Sequence, residues 1–251
     1  MPETTEVKIN PETNTLIREG VKSIINPFDM YAIEEAVRLK EKFSGKTTVI
    51  TMGPPQAESA LREAISMGID EAILICDRAF AGSDTWATSY TLAAAIKKIA
   101  TYDLILCGKQ ASDGDTAQVG PGISAHLDIP QVTYVKKIEE VKDNSMRVER
   151  LMEEGYEVIE TPLPALLTVV KEINEPRLPS LKGMLRAKQA KITVWTHKDL
   201  NLQPQDVGLC GSPTQVVKIF TPQPRIGGQI LTGEIEEVVG KLVELLKDEI
   251  H

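Results

Sequence analysis

Three apolar, β-rich runs at 47–52, 71–76 and 104–107 alternate with segments of helical periodicity through short connections, and no other feature constrains the chain as strongly. Strands that read as continuous apolar runs, rather than as alternating ones, are buried on both faces, which is the condition of a parallel sheet covered by helices. The helical segments carry their own punctuation. Asn26 stands as a cap before Pro27 at the first helical position and Asp29 in the first turn, after which Ile33, Ala36, Val37 and Lys40 share one face. A second helix spans 57–67 and stops at Gly68, and a third runs through Ala87, Leu92, Ala95, Ile96 and Ile99. On sheets of this kind ligands bind beyond the carboxyl ends of the strands. The loops at Asn26, Met52, Asp77 and Asp113 are therefore expected along one edge, which points to a nucleotide.

The most informative of these loops follows the 104–107 run and reads Gly108-Lys-Gln-Ala-Ser-Asp-Gly-Asp-Thr-Ala-Gln-Val-Gly-Pro-Gly-Ile-Ser-Ala125. Strand, glycine-punctuated loop and helix make a phosphate cradle. Gly114, Gly120 and Gly122 let backbone bend or approach a ligand, and amides at a helix start offer unpaired donors with partial positive charge. The spacing is neither G-x-G-x-x-G nor a Walker sequence, so an ordinary strand-to-helix connection is the competing reading. Asp113 and Asp115 would repel an anion unless turned away. Asp115 is expected to cap the next helix, with Gln118 completing a capping box. Pro121 then sits late, so the helix either starts nearer Gln118 or is kinked. A magnesium site on Asp113-Gly-Asp115 is a weaker rival, because such sites recruit more oxygen ligands than this spacing supplies.

Beyond Pro130 the texture changes to strand-like pieces at 131–135, 146–150, 156–159 and 165–170 without a long helix between them, which suggests an antiparallel extension of the sheet. A short basic helix at 184–191 and a strand at 192–195 follow. Near the start, 7–9 and 16–17 read as a hairpin. After His197 the prolines 204, 213, 222 and 224 and the Gly227-Gly228 pair favour an extended arm, closed by a helix over 234–250 whose apolar stripe includes Ile235, Val238, Val239, Leu242, Val243, Leu246 and Ile250. That stripe packs either on another chain or on its own domain. The expected organisation is an α/β, Rossmann-like parallel-sheet domain over 1–198 with an antiparallel extension, and a C-terminal arm and helix over 199–251.

Composition removes several functions. A formal charge of −8 and 4% aromatic residues argue against nucleic acid and anionic lipid. The three cysteines form no C-x-x-C pair, so neither a disulfide framework nor an iron-sulfur cluster is indicated. No signal peptide opens the chain and no apolar run reaches membrane-spanning length, so a cytoplasmic location without membrane insertion is expected. The three histidines are scattered and no nucleophile, base and acid fall together, which favours a protein that holds a reactive cofactor over a hydrolase.

Asn26-Pro-Phe-Asp29, the run from Gly108 to Gly120, and Asn174-Glu-Pro-Arg177 through Ala187-Lys188 occur in the order found in the beta (small) subunit of electron transfer flavoproteins, and from about Thr5 onward the chain resembles that family. The resemblance implies a nucleotide-binding α/β domain whose arm reaches onto an electron transfer flavoprotein alpha subunit. Ordinary members hold a structural AMP, while bifurcating members hold FAD in its place. By resemblance the site would be lined by Asn26, Pro27, Phe28 and Asp29, by Met52 and Gly53, and by Asp113, Gly114, Asp115, Thr116, Ala117, Gln118, Val119, Gly120, Pro121 and Ser124. Two stretches, Asp113-Gly-Asp-Thr-Ala-Gln-Val-Gly-Pro121 and Asp77, Arg78, Ala79, Phe80, Ala81, Gly82 with Asp84 and Thr85, look like the bifurcating versions of their loops, the second of them the 77–85 loop. It would wall an isoalloxazine ring, with Arg78 as the cation that tunes the flavin. No metal is implied.

One departure stands out. Family members open with a short hydrophobic strand and a Lys-Gln-Val-Pro-Asp-like turn where only Met1-Pro2 precedes Glu3-Thr4-Thr5, so a central strand is expected to be missing, through a late start or a real truncation. The function implied is acceptance of hydride from NADH by FAD, followed by electron bifurcation to an acyl-CoA or hydroxy-acid dehydrogenase and to ferredoxin or flavodoxin. Leu181 would anchor the dehydrogenase, with Arg186 and Lys188 steering it. The alternatives are a non-bifurcating subunit with structural AMP and a stand-alone adenine-nucleotide sensor.

Overall fold

In the computed structural model, residues 8–9 and 16–17 (through their backbone), 23–217, 228 and 230–247 are described. Strands β1 (Lys8–Ile9) and β2 (Leu16–Ile17) pair antiparallel, Lys8 opposite Ile17 and Ile9 opposite Leu16. This is the expected hairpin; its connecting residues and Val7 lie outside the described residues. Helix α1 (Pro27–Phe43) starts at an extended Asn26 with proline first and ends at Ser44, whose φ of 58° is left-handed. Strand β3 (Thr48–Met52), helix α2 (Glu58–Met67), strand β4 (Glu71–Ile75), helix α3 (Thr85–Ile99), strand β5 (Leu104–Gly108) and helix α4 (Val119–Leu127) follow in the expected alternation. Strands β6 (Gln131–Val141), β7 (Ser145–Met152), β8 (Gly155–Pro162) and β9 (Ala165–Val169) come next, then helix α5 (Leu181–Gln189), strand β10 (Thr193–Trp195) and helix α6 (Ile235–Lys247).

The parallel strands fall into two sheets. One is the parallel set β10-β4-β3, and the other runs β5-β9-β6-β7-β8, with β5, β9 and β6 parallel and β6, β7 and β8 antiparallel. The antiparallel extension is therefore present, carried by the same sheet as the strand that leads into the glycine loop. Among the described residues no strand pairs with β3 on the side away from β4, or with β5 on the side away from β9. Both are half-buried along their whole length, whereas β9 is buried throughout.

Helices join what the ladders leave separate. Neighbouring residues of a strand face opposite ways. Val49 of β3 packs with Ile33 and Val37 of α1, and Leu104 and Leu106 of β5 lie beside Ala32 of the same helix. On the other face Ile50 of β3 and Ile105 and Cys107 of β5 meet around Ile96 of α3. Periodicity predicts these strands and helices, and the parallel strands lie in two sheets because, among the described residues, no strand pairs between β3 and β5.

The first compact unit runs to Val217, beyond the boundary expected at 198, and the second comprises 218–251. The reason lies in three side chains: Leu200, Leu202 and Val207 are buried in one cluster with Ile75 and Phe80. Within the second unit, α6 buries none of its residues and presents Ile235, Val239, Leu242, Val243 and Leu246 as exposed apolar side chains. No helix among the described residues is long and apolar enough to cross a membrane.

Candidate nucleotide site

The floor of the site is the junction of α1 with β5. Asn26 is buried, and its Oδ1 accepts from the Ser112 N–H and Oγ, both at 3.0 Å, while its Nδ2 donates to the Gln110 carbonyl at 2.8 Å and to Asp29 at 3.2 Å. Asp29 accepts from the Gly108 N–H at 2.7 Å. Burial raises the Asp29 carboxyl above the usual range, against the pull of that amide and of Asn26. A Cβ on Gly108 would stand 2.5 Å from the Phe28 carbonyl carbon, so only glycine lets the helix start approach the strand end. Asn26 and Asp29, expected to line a ligand, have their polar atoms engaged within the protein and hold the loop in place. Pro27 is exposed, and half-buried Phe28 carries the Lys109 ammonium 5.9 Å from its ring centroid.

The glycine loop departs from expectation in two respects. Asp115 does not cap α4. It adopts φ 51°, accepts a hydrogen bond from the Gln110 side chain, and donates its own N–H to the Ala111 carbonyl at 2.8 Å. Gln118 is the cap residue, without a side-chain capping bond, and Pro121 is the third helical residue, where a missing N–H leaves no broken bond. Gly120 and Gly122 serve packing, since a Cβ on them would stand 2.7 Å from Thr168 Cγ2 and 2.6 Å from Ser89 Oγ. Gly114 alone faces open space, with nothing within 4 Å of its would-be Cβ. Ser124 is buried, and its hydroxyl donates to the Pro121 carbonyl at 2.9 Å.

What remains available is a row of backbone donors. The N–H groups of Gly114, Thr116, Ala117 and Gln118 have no acceptor among the described residues, and Thr116 and Asp113 are exposed. Ala117 has φ 54°, so the backbone around Asp115 to Gln118 curls and turns amides outward, a concavity suited to an anion. Half-buried Val119 and the first turn of α4 continue it.

The third wall is the 77–85 loop. Asp77 starts it, and the Ala79 N–H at 3.0 Å and His197 hold the Asp77 carboxyl below the usual range. Asp84 ends it as the cap of α3, accepting from the Ala87 N–H at 3.0 Å. Burial pushes Asp84 up, but that amide and the Thr214 hydroxyl and N–H outweigh it, leaving the carboxyl low. The Thr85 hydroxyl donates to the Gln118 side chain at 2.9 Å, so this loop and the glycine loop are neighbours. Met52 and Gly53 close the edge, the Gly53 N–H donating to the Ile75 carbonyl at 3.0 Å. Phe80 differs from expectation: its ring is buried against Leu200, Leu202 and Val207, and Ala79 packs beside it. Arg78 is exposed, and among the described residues no carboxylate pairs with it.

Protein donors thus engage most of the neighbouring carboxylates, although Asp77 and Asp84 keep their negative charge. Asp29, Asp77, Asp84 and Asp115 are each occupied by protein donors, Asp113 is exposed, and the amides of Gly114, Thr116, Ala117 and Gln118 and the Arg78 side chain have no partner among the described residues. This donor set suits phosphates and a ligand that gains negative charge, and the residues present fit a flavin or adenine nucleotide. Among the described residues no group of three or more His, Cys, Asp or Glu could hold a metal ion. Gln110, Ser112, His197, Ser212 and Thr214 support the site and were not identified from sequence. His197 lies 120 positions from Asp77, beyond any local signal.

The expected partner surface has its own frame. Arg177 is forked onto Glu34 and Glu41 of α1, and the Asn174 amide donates to the Tyr31 carbonyl and to Glu35, each at 3.0 Å. This holds a turn in which Leu178 and Leu181 are 89% and 78% exposed, so a second leucine stands beside the anticipated one. Lys188 is exposed. Arg186, anticipated as a steering charge, instead donates to the Ile65 and Ile69 carbonyls at the end of α2, both at 2.7 Å.

Comparison with known proteins agrees with this architecture. A family model described as the electron transfer flavoprotein domain matches residues 13–200. A protein of Thermoanaerobacterium thermosaccharolyticum named electron transfer flavoprotein subunit beta is 56% identical over 247 residues, covering 98% of this chain and 94% of its own length. The caffeyl-CoA reductase-Etf complex subunit CarD of Acetobacterium woodii is 53% identical over 250 residues, covering 99% and 95%. Protein FixA of Azotobacter vinelandii is 49% identical over 231 residues, covering 90% and 82%.

Proposed function

Because the chain belongs to the electron transfer flavoprotein family, as a beta subunit, we propose that its cleft holds FAD and that the subunit serves a bifurcating complex. The observation that carries this reading is Arg78, an exposed cation with no carboxylate partner among the described residues, on a loop adjoining the row of unbonded amides. The amides of Gly114, Thr116, Ala117 and Gln118 would suffice for the phosphate of AMP. A second loop with a free cation is suited to a larger ligand whose ring takes up negative charge.

Bound there, FAD would supply acceptance of hydride from NADH and release of single electrons. The chain's own part is binding and placement. The amides of Gly114, Thr116, Ala117 and Gln118 would hold phosphate oxygens, Met52 and Gly53 would close the edge, and Arg78 would supply positive charge. Asn26, Asp29 and Asp115 would keep the loop in shape.

The subunit would work with an alpha subunit, met by the apolar face of α6, in a cytoplasmic complex that draws on NADH. An acyl-CoA or hydroxy-acid dehydrogenase would take one electron and ferredoxin or flavodoxin the other. A relative named as a subunit of a caffeyl-CoA reductase complex supports an acyl-CoA-linked partner. Leu178 and Leu181 would anchor that partner. Lys188 would add charge, and Arg186 would act by fixing α5 to α2.

One observation favours a second reading. With Phe80 buried, the 77–85 loop offers no aromatic wall, which would suit AMP in an ordinary electron-carrying subunit. The test is to purify the chain with its alpha subunit and quantify the nucleotides released on denaturation. Two FAD per heterodimer are expected, and Arg78→Ala should weaken retention of one of them about tenfold while leaving the other. One AMP and one FAD would establish the second reading.

A further inference from the structure

The loop that carries Arg78 has an acid at each end, and both acids reach the same distant segment. At the first end, one Asp77 oxygen accepts from Ala79 within the loop. The other accepts from the His197 N–H at 3.3 Å and lies 2.6 Å from His197 Nδ1. At the second end, one Asp84 oxygen caps α3, and the other accepts from the Thr214 N–H at 3.0 Å and the Thr214 hydroxyl at 2.7 Å. The Asp84 N–H donates to Ser212 Oγ at 2.9 Å, and that hydroxyl donates to the Gly208 carbonyl at 2.7 Å.

The middle of the loop is held by the same segment. The Leu209 N–H donates to the Ala81 carbonyl at 3.0 Å. Gly208 has φ 60°, and a Cβ there would stand 2.0 Å from the Ala79 carbonyl oxygen, so the two backbones lie as close as glycine permits. Phe80 is pinned under Val207. Arg78 is left as an exposed, charged side chain on a loop fixed at its start, middle and end.

We propose that 197–214 is a brace that sets the position of Arg78, with His197, Ser212 and Thr214 as positioning residues for the nucleotide site. The inference rests on the reading that the 77–85 loop walls that site. The division of labour at each carboxylate is the physical basis: one oxygen satisfies the loop and the other the brace. Loss of the brace therefore frees the loop as a unit, its short turn at 78–80 included, while the α3 cap persists.

The experiment uses the heterodimer carrying Ser212→Ala with Thr214→Val, and separately His197→Ala. Amide hydrogen exchange of 78–83, measured first without added nucleotide, should accelerate about tenfold while the amides of β4 and β9 keep their protection. His197→Asn, whose side-chain amide can donate to Asp77 in place of Nδ1, should restore protection. With nucleotide bound, the brace variants should weaken its retention. In an Arg78→Ala background they should weaken it no further, because the brace acts through Arg78. Unchanged exchange in 78–83 would overturn the brace, and an undiminished effect on retention in the Arg78→Ala background would overturn its action through Arg78. If the complex carries AMP and FAD instead of two FAD, the exchange arm still decides the brace independently.

Discussion

Arg177→Ala should destabilise the chain by about 3 kcal/mol, a large part of the total of a protein of this size. The guanidinium meets Glu34 through Nε at 2.9 Å and Nη2 at 3.1 Å, and Glu41 through Nη1 at 2.6 Å and Nη2 at 3.0 Å, so two carboxylates share one planar fork. The Arg177 N–H adds a bond to Glu34 at 3.0 Å. The Glu34 side chain is 6% exposed, and truncation of its partner leaves a buried charge with little else to compensate it. Arg177 is itself about a third exposed, which places the effect at the low end for a buried pair. Denaturant unfolding of Arg177→Ala measures the loss, and adding Glu34→Gln should recover part of it by removing the stranded charge. A loss under about 1 kcal/mol would show that the pair behaves as a surface contact. Leu181→Ala should leave unfolding unchanged and weaken dehydrogenase docking by about 2 kcal/mol, since its side chain lies outside the core.

Gly108→Ala should cost about 3 kcal/mol or more and lower the nucleotide content of the purified protein. The new methyl would lie 2.5 Å from the Phe28 carbonyl carbon and 2.7 Å from the Asp29 nitrogen. Backbone atoms cannot rotate aside as a side chain can, so the start of α1 must move away from β5. That movement breaks the 2.7 Å bond from Gly108 to Asp29 and disturbs the Asn26 bonds that hold 110–112. Gly114→Ala is the matched control, because its Cβ meets nothing within 4 Å. A thermal melt in which Gly108→Ala unfolds with Gly114→Ala would show that the junction has slack and would remove its claimed role in shaping the site.

The sequence by itself determined the elements and the edge on which the site lies. Proline after Asn26, glycine after Met67 and continuous apolar runs act within one or two turns of chain, so β3, β4, β5 and the helices between them were legible locally. The membership of Asn26, Asp77, Asp84 and the 113–118 loop in one region followed from the rule that parallel strands present their carboxyl ends together. Only the tertiary structure decided what each of these residues does. Asp115 turns to Gln110 instead of capping α4, Gly120 and Gly122 admit neighbouring elements instead of a ligand, and Phe80 enters the core beneath Val207. It also decided that β3 and β5 belong to different sheets and that 199–217 joins the first unit. Asp115 apart, whose partner is five positions away, the reason is shared: glycines, buried side chains and sheet edges take their roles from partners 30 to 140 positions away, and a local pattern carries the need for a partner without its identity.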